Sequence, residues 1–296
     1  MPWLQINVTT SPDVAEQYED LLLAAGCAAV TYQDAKDQPI FEPELGTTPL
    51  WSETTITGLF AAEHDLEETL ALLNEAKEQI SSGERTYFKA EILEDKDWER
   101  EWMTHYHPMQ FGPNFWVCPS WCDVPDSNAV NLMLDPGLAF GTGTHPTTAL
   151  CLEWLANEPL TGRSVIDYGC GSGILGIASI LLGATNVSGV DIDPQALQAT
   201  KDNLGRNNLS LDKMPVFFPE DFKAEAVDLV IANILAGPLK ELAPSLAKLV
   251  KSGGKIVLSG LLFEQAEALQ TTYSEWFDME PVAQKDDWIR LSGTKR

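Results

Sequence analysis

A chain of 296 residues, 44% of them hydrophobic and 21% charged, has the length for two ordinary domains and the balance of a soluble globular protein. Its net charge of −25 keeps it soluble, disfavours direct nucleic-acid binding, since phosphates need Lys and Arg for neutralisation, and suits a small or basic partner. No run of about eighteen apolar residues suggests a membrane span, no basic-then-apolar start suggests a secretory signal, and five scattered cysteines (Cys27, Cys118, Cys122, Cys151, Cys170) point to reduced thiols in a cytoplasm.

Leu4-Gln5-Ile6-Asn7-Val8 alternates apolar and polar residues like a half-buried strand. Ser11-Pro12-Asp13 offers an N-cap, a proline at the first helical position and an acid in the first turn. Val14, Tyr18, Leu21 and Leu22 follow at helical spacing until Gly26. Strands are expected at 27–32 and 54–60, an amphipathic helix over Leu66, Leu70, Leu73 and Ile80, and a closing strand at 86–93. The order βαββαβ predicts a small ferredoxin-like α+β domain over residues 1–93, with no catalytic cluster.

Residues 94–122 crowd Trp98, Trp102, Tyr106, Phe111, Phe115, Trp116 and Trp121 among charges. They are expected to form an aromatic-rich linker that packs between domains and begins with a helix around 96–106. A nucleic-acid stacking platform would need a basic groove, whereas Lys96 and Arg100 stand among Glu94, Asp95, Asp97, Glu99 and Glu101. His105, His107, Cys118 and Cys122 are potential zinc ligands, but their spacing matches no common finger or ribbon, so no metal is expected.

The remaining domain, 123–296, alternates strands and helices. Strands are expected at 164–167, 187–192, 215–218, 227–232 and 255–259. Helices are expected at 174–182, from Asp193-Pro194 to about 204, at 239–250 and at 265–276. Two last strands, 279–284 and 288–292, can pair only as a hairpin. The pattern predicts an α/β, Rossmann-like, mostly parallel sheet with helices on both faces and an antiparallel C-terminal edge.

Val165-Ile166-Asp167 is an apolar strand ending in an acid, followed by Gly169, Gly171 and Gly173 and then a helix. Glycines there permit a tight turn and close approach of a ligand at a helix N-terminus. Gly171, Gly173 and Gly176 also satisfy the dinucleotide fingerprint, so the loop alone is ambiguous. Asp167 would repel a pyrophosphate and suits a ligand that brings an ammonium group. Asp191 ends the next strand, where a carboxylate can take both ribose hydroxyls, a feature shared with NAD proteins. Asn233 ends a later strand, at the edge where ligands of open α/β sheets lie. Together Asp167-x-Gly169-x-Gly171-x-Gly173, Asp191 and Asp228-x-x-x-x-Asn233 resemble class I methyltransferases, which implies S-adenosylmethionine as cofactor.

Between Asn131 and Thr148, Phe140 stands among Gly141, Gly143 and four threonines, a flexible hydrogen-bonding loop suited to lie over a cofactor as a lid. This stretch, the glycine loop, Ala232-Asn233-Ile234-Leu235-Ala236-Gly237-Pro238-Leu239 and the 94–102 segment resemble the bacterial ribosomal protein L11 methyltransferases nearly end to end. The resemblance implies a ferredoxin-like substrate-recognition domain, a linker and a class I catalytic domain. It also implies methyl transfer to lysine side chains and the N-terminal amine of one basic, lysine-rich large-subunit protein. By motif, Thr148, Gly169, Asp191 and Asn233 would contact the cofactor. The loop readings add Asp167, Gly171 and Gly173, and from the lid Phe140 and Thr144.

Asn233 is followed by Ile234-Leu235, not by the Pro-Pro-aromatic run common in enzymes acting on base amines or amides, which suits an aliphatic amine. Asn233 is then expected to position cofactor and amine. His145 is the candidate base, although a histidine beside proline in a loop is more often structural. A monomer is expected. An NAD-dependent oxidoreductase, a non-catalytic adaptor on a methyltransferase fold and an RNA methyltransferase stay open as alternatives.

Overall fold

The computed structural model describes residues 3–38, 40, 46–80, 86–93, 106–135, 141, 143–223 and 225–296. The chain divides into two compact units, Met1–Met103 and Thr104–Arg296.

In the first unit, β1 (Trp3–Thr10), α1 (Ala15–Ala24), β2 (Ala29–Asp34), β3 (Thr54–Ala61), α2 (Leu66–Ile80) and β4 (Tyr87–Leu93) follow one another. The sheet order is β2-β3-β1-β4 with every pair antiparallel, a split βαβ connectivity. Period-two alternation sends Leu4, Ile6 and Val8 into a core with Tyr18, Leu22, Ile56, Phe60 and Leu73. Gln5, Asn7 and Thr57 occupy the other face, where Asn7 Oδ1 accepts from Gln5 Nε2 at 2.9 Å and Thr57 Oγ1 at 2.7 Å. A 3₁₀ turn, Pro12–Val14, precedes α1, and Gly26 at φ +92° ends that helical stretch.

In the second unit, β5 (Met109–Gly112), β6 (Phe115–Cys118) and β7 (Val130–Met133) make a separate three-stranded sheet. The described part of the aromatic stretch thus holds a β-hairpin, and buried Phe111 and Phe115 join the core rather than a stacking surface. The helix expected around 96–106 lies, but for its last residue, outside the described residues.

The main sheet comprises β8 (Ser164–Tyr168), β9 (Asn186–Val190), β10 (Val216–Phe217), β11 (Val227–Asn233), β12 (Val250–Leu262), β13 (Phe277–Met279), β14 (Ala283–Lys285) and β15 (Trp288–Lys295). Its order is β10-β9-β8-β11-β12-β15-β13, with β14 also on β15. Strands β8 to β12 run parallel, and β15 is antiparallel to its three neighbours. Helices α3 (Pro146–Leu155), α4 (Ile174–Leu181), α5 (Pro194–Arg206), α6 (Ala236–Lys248) and α7 (Ala266–Tyr273) accompany it. Alternate residues of one strand feed two apolar layers. Val165, Leu229, Ile231 and Val257 pack with Leu152 and Ile177, while Ile166, Val230, Ala232 and Leu258 pack with Leu239 and Leu269. Burial on both faces is why these strands read as unbroken apolar runs.

Two elements differ from expectation. The strand expected at 279–284 is two short ones, because Pro281 between them has no N–H for the ladder. The strand expected at 255–259 extends in both directions, with register shifts against both neighbours and Gly260 at φ +85° within the shift toward β15. The order reverses at β8, which places a crevice at the carboxyl ends of β8 and its neighbours. Ile231 is wholly buried at the centre of this frame. Ile231→Ala should cost about 2–5 kcal/mol in urea unfolding, and a loss below about 1 kcal/mol would contradict this packing.

Candidate active site

Between β8 and α4 the chain turns through Gly169, Gly171 and Gly173 at φ +77°, +54° and +78°. Room is as limiting as angle. A Cβ on Gly169 would lie 2.2 Å from Ile234 Cγ2, and one on Gly173 2.7 Å from Thr200 Cγ2. The turn is pinned by backbone bonds: Gly169 N and Cys170 N donate to Val190 O at 2.7 and 3.0 Å, and Gly173 N to Cys170 O at 2.7 Å. The Thr200 hydroxyl donates to Gly171 O at 3.0 Å and Asn203 Nδ2 to Ser172 O at 2.8 Å.

Asp191, just past β9, accepts from Gly171 N at 2.9 Å through Oδ2 and from Asp193 N at 3.0 Å through Oδ1. The glycine loop and the acid one strand on are therefore one rigid constellation. Asp167 lies beneath it, 1% exposed, with Oδ2 accepting from Gly176 N at 2.8 Å. Its Oδ1 is buried with no partner among the described residues. Burial pushes the Asp167 carboxyl up to about 7, opposed by the Gly176 N–H and reinforced by the Asp191 charge.

Asn233 ends β11. Its Nδ2 donates to Thr148 Oγ1 at 3.2 Å, and its Oδ1 is buried with no partner among the described residues. Thr148 is fully buried in the first turn of α3. Ile234, next in the chain, lies against Gly169 on one side, while on the other a Cβ on Gly260 would lie 2.4 Å from its carbonyl oxygen. These contacts bring Thr148, Asn233 and the glycine loop to the same sheet edge.

His145 caps α3, with Nδ1 at 2.7 Å from Thr147 Oγ1 and accepting from Thr147 N at 3.4 Å. Its ring meets Trp288 edge-on at 4.7 Å, and burial lowers its pKa below the ordinary value. Thr144 beside it is exposed. Gly141 is held from the glycine loop, because the Ser172 hydroxyl donates to its carbonyl at 2.6 Å. Phe140 and His105 lie outside the described residues. Sequence reasoning passed over Ser172, Thr200, Asn203 and Gly260. Thr200 and Asn203, polar and three residues apart on the apolar face of α5, carried the signal that was available.

The reversal of strand order at a glycine turn, the acid tied into that turn and the amide one strand over define the class of S-adenosylmethionine-dependent methyltransferases. A family model described as Ribosomal protein L11 methyltransferase (PrmA) matches residues 2–296, and the chain belongs to that family. It is 53% identical over 296 residues to the ribosomal protein L11 methyltransferase of Pseudomonas syringae pv. tomato, covering 100% of both chains. To that of Teredinibacter turnerae it is 56% identical, covering 100% of this chain and 98% of the relative. Among solved structures, the ribosomal protein L11 methylase of Lactobacillus delbrueckii subsp. bulgaricus superposes with a TM-score of 0.57 at 28% identity, over 64% of this chain and 100% of that one.

The folded-state pKa of Asp167, about 7, lies above its ordinary value of 3.8. The folded protein therefore holds more protons than the unfolded chain across that window, and this group's contribution makes stability fall as pH rises through it. Asp167→Asn removes the slope while keeping an acceptor for Gly176 N. In urea unfolding, the variant's stability relative to wild type should rise by on the order of 2–4 kcal/mol between about pH 4 and pH 8. A constant difference would mean that the carboxyl titrates normally.

Proposed function

We propose that this methyltransferase moves methyl groups from S-adenosylmethionine to lysine side-chain amines and the N-terminal amine of a basic ribosomal large-subunit protein. The observation that carries the reading is the buried, unpartnered Oδ1 of Asn233 at the carboxyl end of β11, its amide held by Thr148. A carbonyl oxygen in that state suits an amine N–H as its missing donor. The aliphatic Ile234-Leu235 that follows suits an aliphatic amine better than a planar one. The close relatives are named for methylating ribosomal protein L11, and the charge of −25 favours approach of a lysine-rich protein.

In this reading the backbone of the turn at Gly169, Gly171 and Gly173, held in place by Ile234 and Thr200, meets the cofactor, and the Asp191 carboxylate takes the ribose hydroxyls. Thr148 and Asn233 fix its reactive end, with Phe140 and Thr144 contributing from the neighbouring loop. Asp167 acts from below, where an ammonium group above the loop would favour its ionised form. The cofactor supplies a sulfonium methyl already activated for in-line displacement, so the chain's residues have to align the amine and keep water out. A lysine amine, of reference pKa about 10.4, must lose its proton before attack, and burial at the site entrance promotes that loss. His145, occupied in capping α3, is assigned to holding the loop rather than to moving the proton. Residues 1–93, with the hydrogen-bonding face around Asn7, serve as the substrate-recognition domain and 94–122, whose later part carries β5 and β6 of the second unit, as the linker. The enzyme works as a cytoplasmic monomer. Among the described residues no helix is long and apolar enough to cross a membrane.

Incubating the protein with labelled cofactor and unmethylated ribosomes should put label on ribosomal protein L11, read by mass spectrometry. Label in RNA, or in no ribosomal protein, would overturn the substrate. Asp191→Ala should weaken S-adenosylhomocysteine binding by about 1–3 kcal/mol in calorimetry, from lost charge-assisted hydrogen bonds. Unchanged affinity would misplace the ribose.

A further inference from the structure

Helix α5 carries a polar stripe on its buried side that reaches beyond the glycine turn. At its centre is Asn203, 3% exposed. Its Nδ2 donates to Ser172 O at 2.8 Å, and its Oδ1 accepts from Arg206 Nη1 at 2.7 Å. Each partner leads on to a different part of the loop before α3. The Ser172 hydroxyl donates to Gly141 O at 2.6 Å and accepts from Ile174 N at 3.4 Å, so one group both meets the first N–H of α4 and holds Gly141. Arg206 Nε pairs with Asp135 Oδ2 at 3.1 Å, and Asp135 is held in turn by the backbone N–H and hydroxyl of Ser120, each at 2.8 Å. The next residue of the helix, Asn207, exchanges two 2.8 Å bonds with the backbone of Met133.

We propose that Asn203 is a positioning residue for cofactor binding: its amide links Asp135, through Arg206, to the carbonyl of Ser172, the loop residue whose hydroxyl holds Gly141, and so sets the affinity for S-adenosylmethionine. The residue type follows from the task. The amide must donate to a carbonyl and accept from a guanidinium at once, which aspartate, an acceptor only, does not do. Both bonds also fix which way the amide points. Contact at the far end is as close as glycine allows, since a Cβ on Gly141 would lie 2.9 Å from Ser172 Oγ and its φ is +100°. If Ser172 O lost its donor, a buried carbonyl on the cofactor-binding turn would be unsatisfied, and the turn would relax to find another partner. The inference rests on the reading that the glycine loop holds the cofactor.

The test is calorimetric titration with S-adenosylhomocysteine of wild type, Asn203→Ala, Asn203→Asp, Ser172→Ala and the double variant Asn203→Ala/Ser172→Ala, beside the thermal midpoint of each ligand-free protein. Asn203→Ala and Asn203→Asp should each weaken binding about tenfold, the equivalent of one buried hydrogen bond. Asn203→Asp keeps an acceptor for Arg206 but loses the donor to Ser172 O and adds a charge, so a matching loss in Asn203→Ala and Asn203→Asp assigns the effect to the bond to Ser172. Adding Ser172→Ala to Asn203→Ala should cost less than it does in wild type, because both substitutions cut one chain of bonds. A purely structural role would lower the midpoints and leave affinity unchanged. Affinity within about twofold of wild type in Asn203→Asp, or full additivity in the double variant, overturns the proposal. Should Asn203→Ala not fold, Arg206→Met at a partly exposed position takes its place: a several-fold loss supports the tie and unchanged affinity overturns it. Wild-type protein that binds no S-adenosylhomocysteine overturns the functional reading itself, and the role of Asn203 with it.

Discussion

The backbone of Gly169 and the side chain of Ile234 lie so close that no Cβ fits between them. That contact joins the ends of β8 and β11, adjacent strands of the parallel sheet, and the rest of the site hangs on it. From the β8 side come the turn through Gly173 and, through Gly171 N, the fixed orientation of Asp191. From the β11 side comes Asn233, immediately before Ile234 and braced by Thr148. Gly260 in the irregular part of β12 lets a third strand approach the same residue from behind. Two glycines far apart in sequence, Gly169 and Gly260, thus share one task, which is to permit close contact where side chains would hold the strand ends apart.

Asp167 shows what such closeness costs. A carboxyl at 1% exposure with one oxygen unpartnered among the described residues is an unfavourable place for a charge, and burial pushes its pKa up to about 7. The Gly176 N–H offsets part of the cost by bracing the start of α4. The remainder is a destabilisation of the protein that, in the proposed reading, a positively charged ligand would relieve.

Much of the second unit was legible because its strands, buried on both faces, are continuous apolar runs and its helices carry plain start and stop signals. Asp193-Pro194 opens α5 with the Asp193 side chain accepting from Gln195 N, as its type and position imply. The Gly-x-Gly-x-Gly spacing located the turn for the same reason, since positive φ is written in residue type. Other features are not local. Ser172, Thr200 and Asn203 matter through partners about thirty residues away, and nothing at their own positions marks those partners. The division of 279–284 into two strands was available in Pro281, which has no N–H for the ladder. Asp167, read from sequence as suiting a ligand's ammonium group, is buried with Oδ2 held by Gly176 N, an environment that its residue type at a strand end does not reveal.

In the proposed reaction the acidic surface and the amine chemistry pull in opposite directions. A negative potential that draws in a lysine-rich protein also stabilises its ammonium groups, and attack requires the free amine. Range decides between them. Exposed charges are screened over about 8 Å at physiological ionic strength, so they govern the encounter and fade at a site walled off from solvent. Desolvation acts only at contact and reaches several pKa units for a fully buried amine. A protein of net charge −25 can therefore collect cations over its surface and still favour loss of a proton at one place, provided that place is apolar and its acceptor is uncharged. In the proposed reaction the uncharged oxygen of Asn233 would serve as that acceptor, whereas a carboxylate there would hold the substrate as its ammonium ion.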